Sequence, residues 1–210
     1  MVAERALEPK QHHARSLLLE LDRLLAGEGR RLDEVECVAL AIGPGSFTGL
    51  RIGLATALGL CFGTARRIIP VHTLAALSLH AQDAARIVPL LDARRGQVYT
   101  GLYAPGGVEL RPDSVSDPRA WFESLRDEGP LQLLGPGAQL YAGLAIEVLG
   151  GAARILEPEL GRPRASSVGC LGARLAGEGA ACAPEAVELR YLRRAEAEQK
   201  RELDTLSRNP

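Results

Sequence analysis

The segment GPGSFTGLRIGLATALGL, Gly43 to Leu60, carries the residues whose types and spacing come nearest to a binding site. It follows an apolar run, VECVALAI, and leads into a helix-like stretch. A strand that feeds a glycine loop into a helix N-terminus gathers free backbone N–H groups and the positive end of the helix dipole at one point. Such a point suits phosphate or carboxylate, and Gly43, Gly45, Ser46 and Thr48 are the candidate anion-binding residues. Ser46 or Thr48 is equally placed to cap the helix. The loop has no Gly-Lys-Ser/Thr of the Walker type, and Gly43, Gly45 and Gly49 lack the GxGxxG spacing of dinucleotide folds.

Other chemistry-bearing residues do not assemble. None of His12, His13, His72 and His80 forms a zinc-type i, i+4 pair, and HExxH is absent. His13, at the start of a helix pattern, reads as a packed or capping residue. GxSxG is missing. Cys37, Cys61, Cys170 and Cys182 are scattered without a CxxC pair, and three of them lie in apolar segments where a reduced thiol packs as a small hydrophobe. Asp92 with Arg94 and Arg95 falls at a hairpin turn, where an ion pair is expected. No catalytic residue and no metal ligand is assigned. The formal charge of −1 gives no global field for nucleic acid or an anionic membrane. With no signal peptide at Met1 and free cysteines, a cytoplasmic location is expected.

The elements that position the loop can be read from periodicity. Gln11–Ala26 predicts an amphipathic helix, with Leu17, Leu18, Leu21, Leu24 and Leu25 at helical spacing and Leu19 off the stripe. Val35–Ile42 predicts a strand covered on both faces. A helix over Ser46–Gly63, a strand over Arg67–Val71 and a helix over Thr73–Ala85 follow, the order of a parallel α/β layer. Ile87–Leu91 and Gln97–Tyr103 predict a hairpin that opens a second lobe. Strands over Leu131–Leu134 and Arg154–Glu157 and helices over Gln139–Leu149 and Ser166–Gly177 complete it. The expected organisation is 1–85, 86–192, and a charged tail over 193–210.

The Ser46–Gly63 helix poses an energetic question. Gly45, Gly49, Gly53 and Ala57 fall four apart on one face. Each interior glycine costs about 1 kcal/mol relative to alanine, so Gly49, Gly53 and Gly59 together cost roughly 3 kcal/mol. Close approach of another backbone would offset that. Leu50, Ile52, Leu54, Leu58, Leu60 and Phe62 make the rest of the circumference apolar, which calls for cover on more than one side. Either the first helix and second lobe provide it, or a partner chain does. Arg51 is placed to meet a partner carboxylate or to lie over its own stem.

GPGSFTGLRIG at Gly43–Gly53, with the His13–Leu18 start, DARRGQVY at Asp92–Tyr99 and YLR at Tyr191–Arg193, resembles the bacterial TsaB (YeaZ) proteins. The resemblance implies an α/β, two-lobed fold of the actin/Hsp70/sugar-kinase (ASKHA) class. It implies a non-catalytic scaffold that dimerises with the catalytic subunit TsaD. That complex, aided by the ATPase TsaE, transfers threonylcarbamoyl to the adenosine next to the tRNA anticodon. Carried over, the interface comprises His13, Leu17 and Leu21 on the first helix. On the second it comprises Ser46, Phe47, Gly49, Leu50, Arg51, Gly53, Leu54 and Ala57. The chain has no cofactor of its own, ATP and Mg belong to the partner, tRNA is met only through the complex, and a homodimer through the same helices is an alternative pairing.

Family members begin with two further strands, the first carrying an Asp-Thr. Here the sequence starts at the segment that follows them. An unpaired edge beside Val35–Ile42, or its filling by Val2–Leu7, is therefore expected, along with loss of the turn that binds phosphate in active relatives. Two enzyme readings compete: a nucleotide-binding, kinase-like or NTPase fragment using the Gly43 loop, and a peptidase, against which the missing metal motif speaks.

Overall fold

The computed structural model describes residues 2–7, 13–81 and 85–193; the expected charged tail beyond Arg193 lies outside them. Leucines at helical spacing give α1 (His13–Gly27). The apolar run forms β1 (Cys37–Gly43), the glycine-rich stretch α2 (Phe47–Cys61), and the next apolar run β2 (Arg67–His72). β1 and β2 pair in parallel, Val38 against Ile68 and Leu40 against Pro70, so β1–α2–β2 is one crossover unit. The helix expected after β2 is short, α3 (Thr73–Ser78), and every one of its residues is buried.

The hairpin follows as β3 (Ile87–Arg94) and β4 (Gln97–Ala104). Its turn places Arg94, Arg95 and Gly96 at positive φ, conformations glycine adopts freely and arginine seldom. Two elements were not anticipated: β5 (Val108–Ser116) and α4 (Pro118–Ser124). β5 contains Pro112 and four exposed residues among its first five, as an edge strand allows. β6 (Leu131–Leu134), α5 (Pro136–Leu140), α6 (Ala142–Leu149) and β7 (Ala153–Ile155) close a five-stranded sheet of order β5-β4-β3-β6-β7. Tyr141 divides the single helix expected over Gln139–Leu149.

The chain then returns to the first sheet. α7 (Ala165–Gly177) packs on both β1 and β2, Cys182 bridges Ile68, and Arg190 N–H donates to the Ile42 carbonyl. The expected second lobe, 86–192, thus contributes its last segment to the first. At Gly172 the approach is close: a Cβ there would lie 2.6 Å from Ala39 Cβ. Three clusters divide the core. Ala57, Cys61 and Ile68 lie under α2; Val71, Leu74, Ile87, Tyr103 and Leu171 join the two sheets; Val88, Leu102, Phe122, Leu133 and Ala145 fill the far face of the larger one.

Residues 2–7 form no strand, so they do not fill the edge beside β1. Glu36 O accepts from Arg67 N–H, and the alternation of a parallel ladder then sends the backbone groups of Cys37, Ala39 and Ala41 away from β2. No strand pairs with that edge among the described residues. Glu4 instead reaches α7, where its carboxylate accepts from Ser166 N–H at 2.7 Å. That backbone bond holds the Glu4 carboxyl below its usual range.

Gly172→Ala should lower stability by about 1–3 kcal/mol in urea unfolding, because overpacking against a strand Cβ outweighs the roughly 1 kcal/mol gained in helix propensity. In the larger sheet, Glu128 binds Arg86 at 3.0 Å and also Arg111. The Arg86 hydrogen bond, then Arg111, depresses its carboxyl. A depressed carboxyl contributes stability above its unfolded value, about 4.3, and loses it as pH falls through the folded one. Glu128→Gln should therefore cost about 1 kcal/mol at pH 7, and the difference from wild type should fade below pH 4.

Candidate functional site

The loop that opens α2 is built as the sequence suggested, but it is occupied by its own chain. Ser46 Oγ accepts from Gly49 N–H at 3.3 Å and its carbonyl accepts from Leu50 N–H at 2.9 Å. Ser46 is the cap; Thr48 is exposed in the first turn. Gly43 takes φ 118°, and a Cβ on it would strike the Arg190 carbonyl at 2.5 Å. Residues 190–193 run past the loop as a strap. Phe47 packs on Tyr191 with centroids 5.0 Å apart, the Arg51 guanidinium lies 4.0 Å over Phe47, and Arg51 Nε donates to Tyr191 Oη at 3.2 Å. Arg51 thus takes neither role read from sequence, a partner carboxylate or its own stem, but is held by Phe47 and Tyr191.

A cleft of about 850 Å³ lies between loop, strap and hairpin, lined among others by Ser46, Thr73, Asp92, Tyr99, Arg190 and Arg193. Its positive groups are already engaged. Arg193 donates to the Ala93 carbonyl and to Gln97, Arg94 pairs with Asp92 at 3.4 Å, and Arg190 reaches His72. A phosphate in this cleft would meet backbone donors and already paired guanidinium groups.

The second concavity lies between α1 and α2, about 480 Å³, lined by Leu18, Ile52, Ala55, Thr56, Gly59 and Leu60. Leu18 and Leu19 are each 50% exposed and Phe62, just beyond α2, is 88% exposed. The glycine stripe does not form this outer face. A Cβ on Gly53 would sit 3.5 Å from Leu40 Cδ1, and Ala57 is 3% exposed in the cluster with Val38, Leu40 and Ile68. Gly53 and Ala57, expected at a partner interface, pack against the chain's own β1 and β2. The Leu50 methyl lies against the loop at Gly43. Leu17, Leu21 and Leu54 are half-buried, Gly49 is exposed, Gly45 half-buried, and the His13 side chain lies outside the described ones.

Comparison with known proteins bears on this geometry. The family model "TsaD: tRNA N6-adenosine threonylcarbamoyltransferase" matches residues 3–200. The tRNA threonylcarbamoyladenosine biosynthesis protein TsaB of Bacillus subtilis (strain 168) is 31% identical over 95% of this chain and 88% of its own. The Escherichia coli (strain K12) protein of the same name is 30% identical over 88% and 82%. The chain belongs to the TsaB (YeaZ) family. Among solved structures, YeaZ from Pseudomonas aeruginosa superposes with a TM-score of 0.73 at 28% identity, covering 89% of this chain and 87% of that one. The ASKHA-like α/β fold expected from the motifs is the fold of this TsaB-family chain.

Two polar groupings escaped the sequence reading. His80 Nδ1 lies 2.7 Å from the Leu160 carbonyl, which can only accept, and its Nε2 pairs with the Ser167 hydroxyl. Ser167 is buried and lines neither concavity, so the pair ties α7 to the end of α3. The other grouping joins the two sheets. Tyr103 Oη donates to Asp113, Arg190 Nε lies 3.9 Å from Asp113 Oδ2, and Arg190 Nη1 lies 2.9 Å from His72 Nδ1. Burial pushes the Asp113 carboxyl and the Tyr103 hydroxyl up. Burial, then Arg190, pushes His72 down. These residues come from four separated segments, so no local spacing marks them.

The two classes of α2 glycine give a direct contrast. Gly53→Leu places a branched side chain against Leu40 and should cost at least 2 kcal/mol in urea unfolding. Among the described residues nothing lies within 4 Å of a Cβ on Gly59, so Gly59→Leu should leave stability unchanged or slightly higher.

Proposed function

We propose that this TsaB-family chain acts in the biosynthesis of threonylcarbamoyladenosine in tRNA, as a non-catalytic subunit that docks a TsaD-type catalytic partner through α1 and α2. The names of its relatives support the pathway. The observation that carries the docking reading is the apolar strip of exposed Leu18 and Leu19 with half-buried Ile52 and Leu60 around a groove between two helices. Exposed apolar area of this kind is covered by another chain in a working assembly. The interface shifts from the Gly53–Ala57 line to the outer line of Leu18, Ile52, Ala55 and Gly59, with Leu17 and Leu21 beneath it. Arg51 and Phe47 hold the strap and so shape the edge of the face.

In this reading ATP and Mg sit at the TsaD-type partner, a TsaE-type ATPase joins the assembly, and tRNA is met only through it. The assembly works in the cytoplasm; no described helix is long and apolar enough to cross a membrane. A nucleotide-binding role for the Gly43 loop draws on the cleft and on the Thr73 hydroxyl, which is buried without a hydrogen-bond partner among the described residues. The engaged arginines weigh against it, since none is free to meet a terminal phosphate.

Light scattering of the chain mixed with the TsaD-type protein of the same organism tests the proposal. A discrete heterodimer is expected, weakened at least tenfold by Gly59→Leu or Leu18→Glu with folding intact. A chain that ignores that partner, or a heterodimer indifferent to both substitutions, would overturn the proposed interface.

A further inference from the structure

The grouping between the two sheets contains more than an ion pair. His72 stands at the end of β2, and Glu109 and Asp113 stand on β5, the edge of the other sheet. One donor atom from each lies within 4.8 Å of the others. The Asp113 side chain is fully buried, and its two oxygens are treated unequally. Oδ1 accepts the Tyr103 hydroxyl, while Oδ2 has no hydrogen-bond partner among the described residues. The nearest cationic atom, Arg190 Nε, is 3.9 Å away, beyond hydrogen-bonding distance. A buried carboxylate oxygen without a donor costs the full loss of its hydration, and an ion is one of the few things that repays it.

We propose that His72, Glu109 and Asp113 form a binding site for a divalent transition-metal ion, Zn²⁺ being the best match, which clasps the first sheet to the second. One imidazole nitrogen with two carboxylate oxygens suits Zn²⁺ over Mg²⁺ or Ca²⁺, which favour oxygen alone. With the donors within 4.8 Å of one another, small side-chain shifts would bring each to the roughly 2.0–2.2 Å that Zn²⁺ requires. Tyr103 supplies the outer hydrogen bond that orients a ligating carboxylate. Glu109 is exposed, so the site opens to solvent on its side and leaves room for water as a further ligand. Arg190 is the competing cation. Its backbone is fixed to Ile42, yet its side chain is 27% exposed and can swing outward when a metal enters.

Competition from Arg190 separates a metal site from an ion-pair network. In a network, Arg190 is a required member; at a metal site, removing its charge strengthens binding. The test is calorimetric titration of the chelator-treated full chain with Zn²⁺, against a chelator competitor, alongside thermal unfolding with and without the ion. Wild type should bind one Zn²⁺ at this site and unfold at a higher temperature with it. Glu109→Gln, at an exposed position that leaves the core intact, and His72→Gln should each weaken that binding at least tenfold and remove the thermal shift. Arg190→Gln should tighten it severalfold. Absence of binding at 0.1 mM Zn²⁺ (on the order of a hundredfold above a micromolar site) would overturn the site. So would an isotherm and thermal shift that both survive Glu109→Gln and His72→Gln, since the ion would then be held elsewhere.

Discussion

The structure depends on how closely two helices approach one narrow sheet. β1 and β2 are only two strands wide, and each face is covered by a helix: α7 sits almost on the backbone at Ala39, whereas α2 meets the Leu40 side chain and not the close backbone expected from its glycines. Gly53 and Ala57 of α2 bear on Leu40 and Ile68 from one side, and Gly172 of α7 bears on Ala39 from the other. A two-stranded ribbon buries too little to stand alone. The α7 contact supplies the missing cover, and it comes from a segment beyond the five-stranded sheet. Once α7 is seated, Cys182 can bridge Ile68 and Arg190 can reach Ile42. The strap that shapes the cleft is thus a consequence of the Gly172 approach.

This arrangement answers what the glycine-rich loop is for. Glycine in a helix interior lowers stability, and the offset here differs along α2. At Gly53 it is burial against the chain's own strand. At Gly59 no neighbour among the described residues repays it, and that glycine lines the groove toward α1. The loop itself needs Gly43 because the strap carbonyl passes where a side chain would stand. Periodicity placed these glycines on a helix, but the stripe of four was one residue set seen from outside. Which face of an all-apolar helix meets the sheet depends on the strand it follows, and sequence spacing carries no such information.

Elements with strong local signals were legible. The apolar run of β1, the capped α2, β2, the Asp92–Gly96 hairpin and α7 all fall within a few residues of their expected bounds, because burial on both faces or a turn glycine writes itself into the sequence. β5 was illegible: its exposed start and Pro112 give no alternation, and its pairing with β4 supplies what its composition does not. The His72–Glu109–Asp113 grouping was illegible for another reason. His72 was dismissed for lacking a neighbour at helical spacing, whereas its neighbours come from an unrecognised strand. A site assembled across two sheets leaves no spacing to read.

The charge chemistry of the molecule points the same way as its packing. Nearly all of its positive charge is arginine, and several guanidinium groups hold segments together. Arg66 alone binds the carbonyls of Val35, Leu60 and Leu32, joining the entry to β1 and the end of α2. Arg193 ties the strap to the hairpin through Ala93 and Gln97, and Arg86 and Arg111 share Glu128. A planar group with five donors suits this work, since one side chain can satisfy carbonyls from several segments. Charges used in this way are unavailable to substrate. The outward face of α1 follows the same pattern: exposed Leu18 and Leu19 stand beside Arg23, whose charge is paired with Glu20 of its own helix.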